Sequence, residues 1–309
     1  MAADAAHDAH AHHDAHAHTH GHAHFDEADW QALAALTELE GELLLDFVTE
    51  TARRVADVRG ADAPPVRRIV DIGSGPGVGT CELARLFPDA HVVAVDSSAT
   101  MLERTLQRAG ALGLGGRIST HLAELPDGLD DVEPADVIWA SMSLHHVGDE
   151  TGALRLLRDL LQPTGLLAVA EAADPMRILP DALDVGRPGL VDRLERAEAT
   201  WFTAMRAGLP GSVPSAPLES MIASASLEVV DSRVVSTRID APLAGAAREV
   251  VIGRFRHARR RLGDLLEEDD QHALDVLSDP DDPRGVGQRP DVFIQASRQI
   301  VIARRPHRM

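Results

Sequence analysis

The stretch "RRIVDIGSGPGVGT" (Arg67–Thr80) joins a short apolar strand to a turn with glycine at every second position, Gly73, Gly75, Gly77 and Gly79. A strand that ends in close glycines and opens a helix is an anion- or nucleotide-binding turn. The glycines let the backbone approach a ligand, and the helix N-terminus offers free N–H groups. Several cofactor classes use such a turn, and the details separate them. A phosphate-binding P-loop needs Gly-Lys-Ser/Thr, and this chain contains no lysine. A dinucleotide fingerprint needs G-x-G-x-x-G, and counting from Gly73 puts Val78 at the third glycine. Asp71, two residues before Gly73, would repel a pyrophosphate but suits a ligand with a positive charge, such as an amino acid ammonium or a sulfonium.

The second strand, in "HVVAVDSSATML", ends at Asp96, where a carboxylate can accept both hydroxyls of a ribose. The ligand therefore has a ribose, no adjacent phosphate and a cationic group near Asp71. S-adenosylmethionine meets all three requirements.

The segments "VDIGSGPGVGT", "VVAVDSSATML", "ADVIWASMSLHHV" and "LRLLRDLLQPTGLLAVAE" follow in this order. In them the chain resembles the class I S-adenosylmethionine-dependent methyltransferases, closely over about Asp62–Asp174 and more loosely through "LEVVDSRVV" and "RQIVIARRP". The wording is similar to that of small-molecule methyltransferases of GC-rich, actinobacterial-like genomes. The resemblance implies an α/β fold: a Rossmann-like, seven-stranded, mostly parallel sheet with helices on both faces and the last strand antiparallel, plus helical inserts and an N-terminal helical cap. It implies that Asp71 holds the methionine ammonium, that Gly73, Ser74, Gly75 and Gly77 pass close to the methionine part, and that Asp96 takes the ribose hydroxyls. Ser97 and Met101 would pack near the adenine, and Ala140 and Ser141 would line the cofactor. Relatives often place an Asp at the end of the third strand to bond the adenine amino group. Here "HLAELP" puts His121 there, so the expected adenine contacts are His121 and the backbone of Leu122, with Glu124 or backbone alone as the alternative.

Three titratable residues sit where the fourth and fifth strands open. His145 and His146 in "ASMSLHHV" can take a proton from a nucleophile, or can simply pack. Glu171 at the tip of the fifth strand can bind or deprotonate a substrate, or cap a loop. The implied reaction is in-line displacement of the sulfonium methyl by an O, N or C nucleophile of a small molecule, a specialised metabolite or a metabolic acid, with S-adenosylhomocysteine as the product. Alignment and water exclusion are then the protein's main contribution.

Strands read at Arg68–Ile72, His91–Asp96, Arg117–His121, Asp136–Ala140, Leu166–Glu171, Leu227–Arg238 and Gln299–Ala303 alternate with helices, which predicts a parallel sheet covered on both faces. The domain reading is a His-rich tail over 1–24 without the apolar residues to fold, a helical cap over 25–60, and a methyltransferase domain over 61–309. Two connections, 172–226 and 241–298, are too long for simple crossovers and are assigned to a substrate lid or cap, the second alternatively to a dimer contact. Trp201, in the first insert, reads as lid core rather than a substrate cage. His24, Phe25 and Trp30 join the tail to the first helix and are expected to fold over the cofactor mouth.

The tail holds nine of the sixteen histidines. His16, His18, His20 and His22 offer weak sites for Zn²⁺ or Ni²⁺, although the reaction requires no metal. An alternative reading follows: a metal-binding or regulatory protein on a catalytically silent methyltransferase fold. The formal net charge of −19 argues against a nucleic-acid partner. The 3% aromatic content argues against a base-stacking platform. The single cysteine, Cys81, excludes an internal disulfide and suits a reducing compartment. No apolar run approaches the ~20 residues that cross a bilayer, and the N-terminus lacks signal-peptide character. The expectation is a soluble cytoplasmic protein.

Overall fold

The computed structural model describes the backbone of residues 27–306 and the side chains of residues 31–306. Strand β1 (Arg68–Ile72) is an apolar run buried along nearly its whole length, as a central parallel strand requires. It pairs in parallel with β2 (His91–Asp96) on one side and β4 (Ala135–Ser141) on the other. With β3 (Ile118–Leu122), β5 (Leu161–Arg177), β6 (Glu228–Ile239) and β7 (Ile294–Arg304), the sheet runs in the order β3-β2-β1-β4-β5-β7-β6. β7 is antiparallel to both of its neighbours, so the last strand inserts between the fifth and sixth. The order reverses between β1 and β4, and open α/β sheets bind ligands at such a switch point, beyond the strands' C-terminal ends.

The two faces have different partners. Val70, Ile72, Ile138, Val169 and Val301 join Leu154, Leu157 and Ile222 of α5 (Glu150–Leu160) and α7 (Leu218–Ser224) in one core. Ile69, Val92, Trp139 and Ile302 join Ala52 and Val55 of α2 (Leu45–Arg59) and Leu83 of α3 (Val78–Leu86) in the other. The side chain of Ser98 caps α4 (Ala99–Ala111), and that of Asp149 caps α5.

The helical cap assigned to 25–60 is two helices, α1 (Glu27–Leu43) and α2, broken at Leu44. The break serves two packing demands at once. α2 lies on the sheet face, while α1 crosses above the C-terminal edge. There Gly41 of α1 faces Val78 of α3, and Leu36 fills the space above Gly253 of α8 (Gly245–Leu262).

Strands β5 and β7 outrun the sequence reading. Residues 172–177 and 294–298, assigned to the two inserts, form a ribbon in which Arg177 opposes Gln295. "AADPMR" has no apolar alternation to betray a strand, and its register is set by β7 and by Met176, Val235 and Ala296 against Phe47 of α2. What remains of the inserts carries α6 (Leu190–Ala207), α8 and α9 (Glu268–Ser278), which build a separate apolar cluster around Leu190, Val250, Phe255 and Leu274, with Leu39 and Leu43 of α1 against it. No helix among the described residues is long and apolar enough to cross a membrane.

Candidate active site

The loop after β1 folds back over the end of β2, where the N–H groups of Gly73 and Ser74 donate to the Val95 carbonyl at 2.8 and 3.0 Å. Two of its glycines are obligatory. Gly73 has φ +66°, and a Cβ there would lie 2.4 Å from Cβ of Ser143. Gly77 has φ +79°, and a Cβ would lie 2.6–2.8 Å from the Thr105 side chain. The Thr105 hydroxyl donates to the Gly75 carbonyl at 2.9 Å, which fixes the loop against α4. Thr37 of α1 stands 3.8 Å from the position of a Gly75 Cβ, so α1 covers the loop from above. Glu38 of α1 bridges Arg104 and Arg108 of α4 and holds the helix there.

The charge inside this turn is negative and poorly compensated. Asp71 is 3% exposed, with the Thr80 hydroxyl donating to its Oδ2 at 2.6 Å. Burial pushes its pKa from 3.8 up to about 7, against the Thr80 hydrogen bond and with help from the nearby charge of Asp96. Asp96 accepts from the Gly75 N–H through Oδ2 and from the Ser98 N–H through Oδ1, both at 2.9 Å. Burial raises its pKa too, opposed by those backbone donors. A buried carboxylate with one hydroxyl partner is completed by a cation, and an oriented carboxylate at the loop rim is completed by hydroxyl donors. The hydroxyls of Ser74 and Ser143 are both buried without a hydrogen-bond partner. Ser143 packs on Gly73, the residue before Ser74, so both unpaired groups belong to this turn. A carboxylate would satisfy both. The residues present thus fit the ammonium, carboxylate and ribose of S-adenosylmethionine.

The second half of the site is the loop after β4. Met142 takes φ +54°, strained for a non-glycine residue, and its N–H donates to the Ala170 carbonyl at 2.8 Å. That turn presents the N–H groups of Ser143 and Leu144 to Oε1 of Glu171, at 3.1 and 3.0 Å. Oε2 of Glu171 lies 2.7 Å from Nδ1 of His145. A carboxylate accepts, so Nδ1 carries a hydrogen, and in the neutral ring Nε2 then keeps its lone pair. Glu171 therefore holds the His145 ring and caps the loop at once, with both its oxygens engaged. The His146 ring lies 4.2 Å from that of His145. Arg206 of α6 clamps the same loop, with Nη1 donating to the carbonyls of His145 and Val147 at 2.8 Å and Nη2 2.9 Å from Glu150.

The remaining expected residues divide. Met101 is buried at the start of α4 and Ser97 is exposed beside it. Ser141 is half-buried at the rim, whereas the Ala140 side chain is fully buried in the core and faces no cleft. His121 bonds the Gly128 carbonyl through Nε2 at 2.6 Å, which leaves Nδ1 as an acceptor in the neutral ring. Leu122 is 60% exposed. Trp201 belongs to the insert core, with the Arg261 guanidinium 4.4 Å over its ring. The next residue, Phe202, reaches the site instead, its ring 5.7 Å from His145. His16, His18, His20, His22, His24 and Phe25 lie outside the described residues, as does the side chain of Trp30. Among the described residues no group of His, Cys, Asp or Glu is placed to hold a metal ion.

Reasoning from sequence missed Ser143, Met142, Arg206 and Thr37. The first two stand in "ASMSLHHV" beside residues that were singled out, but nothing in their types marks them. Arg206 and Thr37 reach the site only through tertiary packing.

An open α/β sheet with a glycine loop at its switch point and an acidic end to β2 defines a protein that binds a nucleoside-type ligand. Residues 69–165 match the methyltransferase domain family. A 180-residue segment is 32% identical to the trans-aconitate 2-methyltransferase of Methylobacterium radiotolerans, covering 55% of this chain and 64% of that one. Over 121 residues the chain is 35% identical to the trans-aconitate 2-methyltransferase of Streptomyces coelicolor, covering 39% and 38%. The chain spans less than two thirds of the length of either relative. A Bacillus halodurans structure put forward as a methyltransferase shares the fold, at 14% identity and a TM-score of 0.52 over 84% of this chain and 99% of that one. Residues 69–165 thus form a methyltransferase domain, and the sheet has the fold of the class I S-adenosylmethionine-dependent methyltransferases.

Proposed function

We propose that this protein transfers the methyl group of S-adenosylmethionine to an oxygen or nitrogen nucleophile of a small molecule, with His145 as the proton acceptor. The observation that carries the reading is the pairing of two half-sites: an under-compensated Asp71 and Asp96 at the glycine loop, and the His145–Glu171 pair at the neighbouring strand ends. When bound, S-adenosylmethionine supplies a methyl carbon on a sulfonium, an electrophile whose leaving group departs neutral.

The chain's own residues do the rest. Asp71 meets the ammonium, Ser74 and Ser143 donate to the carboxylate, and Asp96 accepts from the ribose hydroxyls. Nδ1 of His145 is held by Glu171, so Nε2 faces the incoming nucleophile and takes its proton as the new bond to carbon forms. Helix α1, latched by Glu38, excludes water from above, which strengthens each of these contacts. The names of the curated relatives support a small carboxylic acid as the substrate class.

Incubation with methyl-labelled S-adenosylmethionine and a panel of small hydroxy acids, polycarboxylic acids and amines tests this. Label is expected in a small-molecule product with wild-type protein and not with Asp96→Ala. His145→Gln is expected to bind S-adenosylhomocysteine normally while losing turnover. Equal turnover in His145→Gln removes the histidine from the mechanism.

A further inference from the structure

Three arginines among the described residues are more than nine-tenths buried. Arg206 pairs with Glu150, and Arg289 pairs with Asp184 and Asp291. The third, Arg298 on β7, is 8% exposed and has no carboxylate within ion-pair distance among the described residues. Its one hydrogen bond runs from Nη1 to the carbonyl of its chain neighbour Ser297, at 3.2 Å. Its guanidinium lies 5.4 Å from the centroid of the Phe47 ring.

Burying a guanidinium costs several kcal/mol, and native proteins offset that with a carboxylate. Arg298 has none, and burial lowers its pKa, with Arg254 of α8 pushing the same way while Glu40 and Glu171 oppose at a distance. Glu40 is already committed to Arg254, at 2.8 and 3.0 Å. Glu171 is committed to His145 and two backbone N–H groups. The charge on Arg298 is therefore available to a ligand.

Its place in the fold says which ligand. Arg298 stands in register opposite Ala172, the residue after Glu171. Above it is α1, where Glu40 lies within one turn of Thr37 and Gly41, the residues over the glycine loop. The guanidinium is thus beneath the helical cap, against Phe47 and near enough to Glu171 to feel its charge.

We propose that Arg298 binds a carboxylate of the methyl-accepting substrate, a second acidic group that orients the molecule while its nucleophile faces His145. The substrate is then a small acid with a protic nucleophile besides the carboxylate that Arg298 holds. This deepens the methyl-transfer reading and rests on it for the position of the reacting atom. A planar guanidinium takes a carboxylate through two parallel N–H bonds, a geometry lysine does not reproduce.

The test is calorimetric titration of the full chain, with and without S-adenosylhomocysteine, using trans-aconitate, malonate and the uncharged trimethyl ester of trans-aconitate as probes. At least one carboxylate is expected to bind wild-type protein and the ester is not. In Arg298→Gln the carboxylate affinity should fall roughly 10–100-fold, the scale for losing a desolvated charge-assisted pair, and in Arg298→Lys it should fall less. Affinity for S-adenosylhomocysteine should stay within about twofold of wild type, because Arg298 does not border the glycine loop. A third variant reads the cost directly: Arg298→Met should leave the ligand-free melting temperature unchanged or raised, where a structural arginine would lower it. Equal carboxylate affinity in wild type and Arg298→Gln overturns the proposal, as do binding of the ester and the absence of carboxylate binding by folded wild-type protein. If Arg298→Gln does not fold, Arg298→Lys decides on the same criterion. Carboxylate binding through Arg298 without any S-adenosylhomocysteine binding would keep the anion site and overturn the methyl-transfer reading instead.

Discussion

Replacing Asp71 with asparagine should make the ligand-free protein more stable and unable to hold its ligand tightly. The carboxylate titrates at about 7 in the folded chain, against an ordinary 3.8. Between those values the folded state binds a proton that the unfolded state has lost. Stability of the ligand-free protein therefore falls as pH rises from about 4 to about 7 and is level above that. At about 1.4 kcal/mol per pH unit, the full cost of keeping Asp71 ionised above pH 7 is about 4 kcal/mol. Asp71→Asn removes it: the amide still accepts from Thr80 and carries no charge. The variant should gain stability at pH 8, up to that figure, and little at pH 4.

Ligand binding has the opposite slope. A ligand ammonium needs the ionised carboxylate, so binding expels the proton, and the affinity for S-adenosylhomocysteine should fall about tenfold from pH 8 to pH 6. Denaturant unfolding across pH 4–8 and calorimetry in buffers of different ionisation enthalpy measure both slopes. Asp71→Asn with unchanged pH dependence of affinity, or with lower stability at pH 8, would refute the reasoning.

The other predictions concern the loops around this charge. Gly73→Ala adds a Cβ at φ +66° against Ser143 and should cost roughly 1–3 kcal/mol of stability while weakening ligand binding; Ser143→Gly in the same chain should recover part of the loss, checked by a double-mutant unfolding cycle. Glu171→Gln can keep its one oxygen for the Ser143 and Leu144 N–H groups but then faces Nδ1 of His145 with an N–H donor, and should lower turnover without changing affinity for S-adenosylmethionine, measured as kcat against KM. Arg206→Met leaves Glu150 buried without its cation and should cost about 3–5 kcal/mol, read by chemical denaturation. Met142→Gly relieves a left-handed residue and should stabilise the fold by about 1 kcal/mol if the thioether makes no essential contact, read by the same method.

What was legible in the sequence was what local pattern determines. β1 and β2 were placed at the bounds they have, because a buried parallel strand is an uninterrupted apolar run. Asp71 and Asp96 were legible because the turn geometry leaves few roles for a carboxylate at those positions. Non-local pairing was hidden. The outer half of β5 has no apolar alternation, so the ribbon beyond Glu171 and the position of Arg298 within it read as part of an insert. His145 and Glu171 were singled out separately, yet their mutual contact depends on the strained turn at Met142, which no residue type announces. Trp201 drew notice for its size, and the neighbouring Phe202 reaches the histidine, because one residue rotates a helix face by about 100°.

The most direct measurement is titration of the purified, ligand-free chain with S-adenosylhomocysteine, in parallel with Asp96→Ala. One site per chain at micromolar affinity is expected, weakened at least about tenfold in the variant, which loses the ribose acceptor. Folded wild-type protein that binds neither S-adenosylhomocysteine nor S-adenosylmethionine, or that binds as well after Asp96→Ala, would contradict this expectation.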